Sequence, residues 1–220
     1  MRLKHAQIQG WTSPLEEYGR KKMKKRDGRV GAILGAFRSL TREQIQILLF
    51  DFPTGKTKCR QRLAALTRAG KVKRGRSDLT RAYCYWLAGG EKPKQMEHLL
   101  LRNWVIVRLL PRLLYCDTEY ITPYVRPDAL LITTGGVFFL EAQRNVAKFD
   151  KVPKYEALFQ DHAAWVSGSW AGIGQKKQFP SVLVITDGSA EALRNRIEAD
   201  STLGLRFKVY SLEEVVRGEI

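Results

Sequence analysis

A chain of 220 residues with 44% apolar content has enough material for one large or two small domains with real cores. No apolar run reaches the length of a membrane-spanning helix, and the N-terminus lacks the apolar core of a signal peptide, so the expectation is a cytoplasmic protein with no membrane partner. The net charge of +16 is unevenly placed: residues 1–90 hold 21 Lys and Arg against 6 Asp and Glu, whereas residues 91–220 hold 17 against 16.

A charge serving only solubility would be spread over both halves. One basic half beside a neutral half is the footprint of a nucleic-acid-binding module joined to a second unit. An anionic membrane surface would attract the same charge, but no basic amphipathic helix with aromatic anchors is present. The three cysteines, Cys59, Cys84 and Cys116, have no metal-ligand spacing and are too few for a disulfide framework.

In chain order, residues 1–28 read as a basic arm. The block from Arg20 to Arg26 ends at the turn signal Asp27-Gly28. Such an arm either follows phosphates and enters a minor groove or is simply a solvated tail. From Arg29 a helical period appears, with Val30, Ile33, Leu34, Phe37 and Leu40 on one face. Thr41-Arg42-Glu43-Gln44 is a capping box for a second helix carrying Ile45, Leu48 and Leu49, which Pro53 ends. Gly55-Lys56-Thr57 has the tail of a phosphate-binding loop, but Phe50 stands where that motif needs its first glycine, so the motif is rejected.

Thr57 is placed to cap a third helix, Lys58 to Ala69, closed by Gly70. Cys59, Leu63 and Leu66 form its buried stripe, and Lys58, Gln61, Arg62, Ala65 and Arg68 its outer side. Short strands Val72–Arg74 and Tyr83–Leu87 follow, around Gly75-Arg76-Ser77-Asp78. Three helices and a hairpin are the order of a winged helix-turn-helix over residues 29–90. In that fold Gln61 and Arg62 face base edges. Lys56, Lys58, Arg68, Lys71, Lys73, Arg74, Arg76 and Arg81 then face the phosphates of double-stranded DNA. The bland alternative is a small helical domain with a solvated polar face, against which the charge of this half weighs.

Gly89-Gly90 and Pro93 mark a linker, and residues 91–220 read as a second domain. Met96 to Tyr115 is a long apolar helix with Pro111 near its end, and Glu119–Tyr124 a strand. Val125–Thr133 and Val137–Glu141 are strands joined by the hairpin signal Thr134-Gly135-Gly136. Lys151-Val152-Pro153 opens a helix through Tyr155, Leu158, Phe159 and Trp165, and residues 168–174 are a loop. A strand Val182–Thr186, a helix Ala190–Ala199 capped by Ser189, a strand Phe207–Tyr210 and a short helix Leu212–Val216 close the chain. The fold class expected is α/β (α+β), a mixed sheet with helices on both faces.

Within this order Asp128 sits at the mouth of one hairpin strand and Glu141, thirteen positions on, at the far end of its partner. The hairpin folds these ends together, where one divalent cation can bind both carboxylates; two solvated strand ends are the plain alternative. Pro127-Asp128 and Glu141-Ala142-Gln143 resemble the motif of the PD-(D/E)xK nuclease superfamily, whose core has the restriction-endonuclease-like element order. The resemblance implies that Asp128 and Glu141 hold Mg²⁺ or Mn²⁺, which lowers the pKa of a water and steadies phosphoryl oxygens. It also implies a Lys where this chain has Gln143. Glutamine holds a water but supplies no charge, and the nearest basic substitutes are Arg144, Lys148 and Lys151. The catalytic set, if the site is active, is Asp128, Glu141, Gln143 and Lys148.

A winged helix ahead of such a core resembles the replication-relaxation family of plasmid and integrative-conjugative-element proteins, from about Val30 to the end. The resemblance rests on Arg60-Gln61-Arg62-Leu63 leading to Gly70, on Arg126-Pro127-Asp128-Ala129, on Phe139-Leu140-Glu141-Ala142-Gln143-Arg144 and on Lys154-Tyr155. It implies a DNA-binding accessory factor for replication or conjugative transfer, acting beside a relaxase or replication initiator, with a homodimer as a further partner state. Family members often carry Asp at the place of Gln143, and neither residue is the nuclease Lys, which argues against robust cleavage and leaves DNA binding untouched. The readings rank as accessory factor, Mg²⁺-dependent endonuclease, and transcriptional repressor with a dimerising second domain.

Overall fold

In the computed structural model, which describes residues 26–79, 81–166 and 178–220, the chain opens on helix α1 (Arg26–Phe37). The basic block at 20–25 and the loop expected at 168–174 lie outside the described residues. Asp27-Gly28, expected as a turn, lies instead in the first turn of α1, where an acidic side chain suits the helix dipole. Val30, Ile33, Leu34 and Phe37 are buried at helical spacing. Leu40 leaves that face, because α1 stops at Arg38 in a left-handed conformation (φ 64°) and Leu40 enters strand β1 (Leu40–Thr41).

Thr41 caps helix α2 (Arg42–Leu49) through a full capping box. The Gln44 amide N–H donates to Thr41 Oγ1 at 3.1 Å, and Gln44 Oε1 accepts from the Thr41 N–H at 2.8 Å. Helix α3 (Gly55–Arg68) starts earlier than Thr57 would allow, and its cap, Thr54, makes no side-chain bond. The start is set by packing: a Cβ on residue 55 would stand 1.7 Å from the Phe50 carbonyl oxygen, so only glycine fits. Cys59, Leu63 and Leu66 are its buried stripe. Strands β2 (Val72–Arg76) and β3 (Tyr83–Leu87) pair antiparallel, and β1 adds to the far side of β3.

Helix α4 (Met96–Leu109) follows, and 11 of its 14 residues are buried. A helix with so much of its surface buried has to be covered on both sides. One side packs on α1, α2 and the small sheet. The other packs on the large sheet, so a single core cluster runs from Val30 and Ile45 through Leu101 and Trp104 to Leu140, Ile185 and Val215. Polar groups tie the same seam. Gln44 Nε2 donates to the Leu100 carbonyl at 2.9 Å, and Asn103 Nδ2 donates to the carbonyls of Phe37 (3.0 Å) and Ser39 (2.8 Å).

The helix does not reach Tyr115. Pro111 lacks an N–H and clashes with the preceding turn, so the chain passes through a 3-10 turn (Leu110–Arg112) into strand β4 (Leu113–Asp117). The stretch 119–124, expected as a strand, is irregular. Thr122 closes a local turn on Val125 through its N–H and Oγ1, both to the Val125 carbonyl (3.1 and 2.6 Å), around the donorless Pro123. Strand β5 (Ala129–Thr133) therefore begins after Pro127 rather than at Val125. Strand β6 (Gly136–Gln143) returns after the two-residue turn Thr134-Gly135.

Helix α5 (Val152–Gln160) takes Pro153 in its first turn and is followed by α6 (His162–Val166) and β7 (Ser181–Thr186). Helix α7 (Ala190–Asp200), capped by Ser189, then β8 (Phe207–Ser211) and α8 (Leu212–Arg217), with a second capping box at Ser211 and Glu214, complete the chain. The large sheet has the order β4-β5-β6-β7-β8, antiparallel through β6 and parallel beyond it. Alternation along each strand sends Leu131, Leu140 and Ile185 toward α4 and α8, and Leu130, Phe139 and Val184 toward α5 and α7. The protein is thus mixed α/β, with helices on both faces of a five-stranded mixed sheet. Among the described residues no helix is long and apolar enough to cross a membrane.

All three thiols are free. Burial pushes Cys59 and Cys116 each up to about 12, and raises Cys84 as well. Iodoacetamide at pH 8 is expected to label Cys59 and Cys116 of the native chain roughly a thousandfold more slowly than a free thiol, since the thiolate is the nucleophile. Rapid labelling of the native chain, matched to that in urea, would contradict this packing.

Candidate active site and basic surface

The ladder between β5 and β6 extends one residue past β5. The Asp128 N–H donates to the Leu140 carbonyl at 2.9 Å, and Asp128 Oδ2 accepts from the Ala142 N–H at 2.7 Å. Asp128 thereby grips the backbone on both sides of Glu141, which sets the two carboxyl residues side by side. Each is then met by a helix from a different face of the sheet. His98 Nε2 of α4 lies 2.9 Å from Asp128 Oδ1. From α5 the Tyr155 hydroxyl donates to Glu141 Oε1 at 2.6 Å. Lys151, its N-cap, places Nζ 2.5 Å from Glu141 Oε2 and 3.2 Å from the Arg126 carbonyl.

The two carboxyls are driven apart electrostatically. Glu141 is 2% exposed, and burial raises its pKa; the Lys151 charge opposes this, the Asp128 charge adds to it, and the group ends at about 7. Burial also pushes Asp128 upward, but the bond and charge of His98, with the Ala142 N–H and Lys151, outweigh it and hold the carboxyl below its ordinary value. Burial and the Glu141 charge keep the Tyr155 phenol well above its ordinary range, so it remains a donor. Two adjacent carboxyls with opposed shifts and a lysine on one of them are the electrostatics of a functional site more often than of a structural one.

The remaining sequence-predicted residues separate clearly. Gln143 is half-buried and its amide donates to the Asn145 carbonyl. Lys148 is exposed on the 3-10 turn Val146–Lys148 and makes no bond to either carboxylate. Arg144 pairs with Asp187 at 3.1 Å. Of the basic substitutes for the missing lysine, Lys151 is the one that reaches Glu141. His98 and Tyr155 were not singled out for the site from sequence. The available signal is a polar cluster, His98, Arg102 and Asn103, within a largely apolar helix. Arg102 is 7% exposed, bonds Asn103 Oδ1 at 3.2 and 3.0 Å, and has no carboxylate partner among the described residues. Burial lowers its pKa, against the charges of Cys116, Asp128 and Glu119.

Paired carboxylates are hard oxygen donors that suit Mg²⁺ or Mn²⁺, which commonly take one or two such ligands and complete their shell with water and substrate phosphate. Among the described residues no group of three or more His, Cys, Asp and Glu side chains is arranged to hold a metal ion. A cation here would rest on Asp128 and Glu141 alone, and Glu141 Oε2 would have to turn from Lys151 toward it.

On the other half, Lys56, Lys58, Gln61 and Arg68 are exposed along α3, and Lys71, Lys73, Arg74 and Arg76 on and just before β2. Arg81 is exposed with a left-handed backbone (φ 51°). Arg74 and Arg76 lie over the Tyr83 ring at 4.9 and 5.7 Å. Arg62 differs. It is half-buried and ion-paired with Asp27 of α1. Among the described residues none of the other cations named here pairs with a carboxylate. Compared with protein-family models, with curated proteins and with solved structures, the chain matches none.

Proposed function

We propose that the chain is a DNA-binding accessory protein for replication or conjugative transfer of a plasmid or mobile element, with residues 29–90 acting as a winged helix-turn-helix. The observation that supports this reading is the set of exposed, carboxylate-free cations on α3 and the β2–β3 hairpin. Cations left unpaired on a protein surface gain most from a polyanion, which releases its counterions on contact. Gln61 faces outward and serves base readout. Arg62 can join it only by leaving Asp27. Lys73, Arg74, Arg76 and Arg81 serve as phosphate contacts of the wing. The second half, restriction-endonuclease-like in this reading, provides a scaffold for a relaxase, a replication initiator or a second copy of the chain.

The test is duplex binding followed by fluorescence anisotropy across a salt series. Arg76→Ala is expected to weaken all duplexes alike and to reduce the salt slope by about 1, as loss of one phosphate contact does. Gln61→Ala should instead cost about 1–3 kcal/mol of discrimination at one base pair. Binding that ignores both salt and Arg76 would refute the reading.

A second reading, an Mg²⁺-dependent endonuclease, is favoured by the contact of Lys151 with Glu141. Asp128 and Glu141 would hold the cation, which when bound supplies a water of lowered pKa and relief of phosphoryl charge. Lys151 brings to the site the positive charge that Gln143 lacks. Supercoiled DNA incubated with Mg²⁺, Mn²⁺ or EDTA separates the two readings. Metal-dependent nicking abolished by both Asp128→Ala and Lys151→Ala, with DNA binding intact, establishes the second.

A further inference from the structure

Of the cations along α3, Arg62 alone is ion-paired among the described residues. Lys56, Lys58, Arg60 and Arg68 are exposed. Arg62 Nη2 meets Oδ1 of Asp27, in the first turn of α1. Both side chains reach solvent, 38% exposed for Arg62 and 25% for Asp27, so the contact lies at the surface. Surface pairs of this kind are weak and give way to a stronger partner.

The pair is also built to come apart. The guanidinium is only half used on Asp27. Its Nε is buried and has no hydrogen-bond partner among the described residues, although Nε and Nη2 together form the fork that matches an oxyanion or a guanine edge. A buried donor left without a bond is costly, so the pose on Asp27 is not the best that Arg62 can reach. Asp27, for its part, does not depend on Arg62. The free N–H groups and dipole of the first turn of α1 favour a carboxylate there, so the departure of Arg62 strands no charge. Lys58, one turn earlier on α3, adds a second cation four positions from Arg62. Like charges at that spacing repel and call for an anion beside them. In the free chain Asp27 is that anion.

We propose that Asp27 competes with DNA for Arg62: its carboxylate stands in for a nucleic-acid acceptor, and a duplex engages Arg62 only by displacing it. The proposal rests on the DNA-binding reading above and adds an internal restraint to it. The free chain withholds one cation of α3, and every duplex that takes up Arg62 has first to break the ion pair. Asp27 thereby holds down the affinity of the chain for DNA.

The test is a double-mutant cycle on the full chain, with a fluorescein-labelled duplex of mixed sequence followed by anisotropy across a salt series. Asp27→Asn removes the competing charge and keeps a short polar residue at the helix start. Asp27→Ser does the same with a smaller side chain, and circular dichroism checks that both keep their helix content. Each is expected to tighten duplex binding about fivefold, about 1 kcal/mol, and to steepen the salt slope by about 1 as Arg62 joins the contact. In an Arg62→Ala background the same substitutions are expected to tighten binding less than about twofold, the screened effect of one surface charge. Equal gains in the two backgrounds overturn the proposal, because they reduce Asp27 to a plain negative charge near the DNA. Weaker duplex binding by Asp27→Asn also overturns it, in favour of a carboxylate that positions Arg62. Salt-dependent binding by the parent that neither Asp27 variant changes sinks this inference and spares the accessory-factor reading. Duplex binding absent from every chain removes that reading and this inference with it.

Discussion

Asn103→Ala is expected to lower the stability of the whole chain by about 3 kcal/mol, in one unfolding transition that takes both halves together. Asn103 is fully buried and makes bonds on three sides. Its amide N–H groups satisfy the Phe37 and Ser39 carbonyls, and its oxygen accepts from Nε and Nη2 of the buried Arg102. Alanine strips partners from two backbone carbonyls and one guanidinium at once, and each orphaned buried group costs about 1–3 kcal/mol. For a chain of this size the loss corresponds to a melting temperature lower by about 10 °C. The transition stays single because α4 belongs to both halves of the core, so neither half keeps its buried surface when the other unfolds. Urea titration followed by tryptophan fluorescence and by far-UV circular dichroism checks both points. Two separated transitions in the parent chain would show that the seam does not couple the halves.

Glu141→Gln is expected to act in the opposite direction and to depend on pH. The Glu141 carboxyl is raised to about 7 in the folded chain, against an ordinary value near 4.5. A raised carboxyl contributes stability that is fully present below about 4.5 and is lost as pH rises through 7. At pH 8 the ionised, buried form therefore costs the parent chain up to about 3 kcal/mol. Glutamine keeps an acceptor for the Tyr155 hydroxyl and removes the buried charge, so the variant should be the more stable protein at pH 8 and indistinguishable near pH 4.5. Asp128 works on the other side. Its lowered carboxyl stabilises the fold above its ordinary pKa and gives that up as pH falls through the folded value. Equal destabilisation of Glu141→Gln at every pH would contradict the burial argument. A stability gain on removing Glu141 would show that the side chain is kept for something other than folding.

Local chemistry makes much of this fold legible in the amino-acid order. The capping box at Thr41 and the cap at Ser189 are each decided by a few adjacent residues, and the structure has them where the spacing predicts; the hairpin turn is present too, but on Thr134-Gly135, with Gly136 already paired in β6. Strand β4 is not legible in this way. Leu113, Leu114 and Tyr115 continue an apolar helical run, and Pro111 alone marks the change of direction. The side-by-side position of Asp128 and Glu141 follows from hairpin geometry. The identity of the cation beside them does not. It depends on the path of residues 144–150, which turns Arg144 to Asp187 and carries Lys151 back to Glu141. His98 is illegible for the same reason, since its meeting with Asp128 requires knowing how α4 crosses the sheet.

The way α4 is shared has a metrical consequence. A basic hairpin joined to paired carboxylates by a loose linker would let the two ends touch a nucleic acid at varying separations. Here the connecting helix is packed on both sides and pinned by Gln44 and Asn103. The two ends keep a constant spacing and a constant helical phase. If the chain binds DNA as proposed, whatever the carboxylate end contacts on a duplex should therefore lie at one fixed offset, on one face, from the site the hairpin holds.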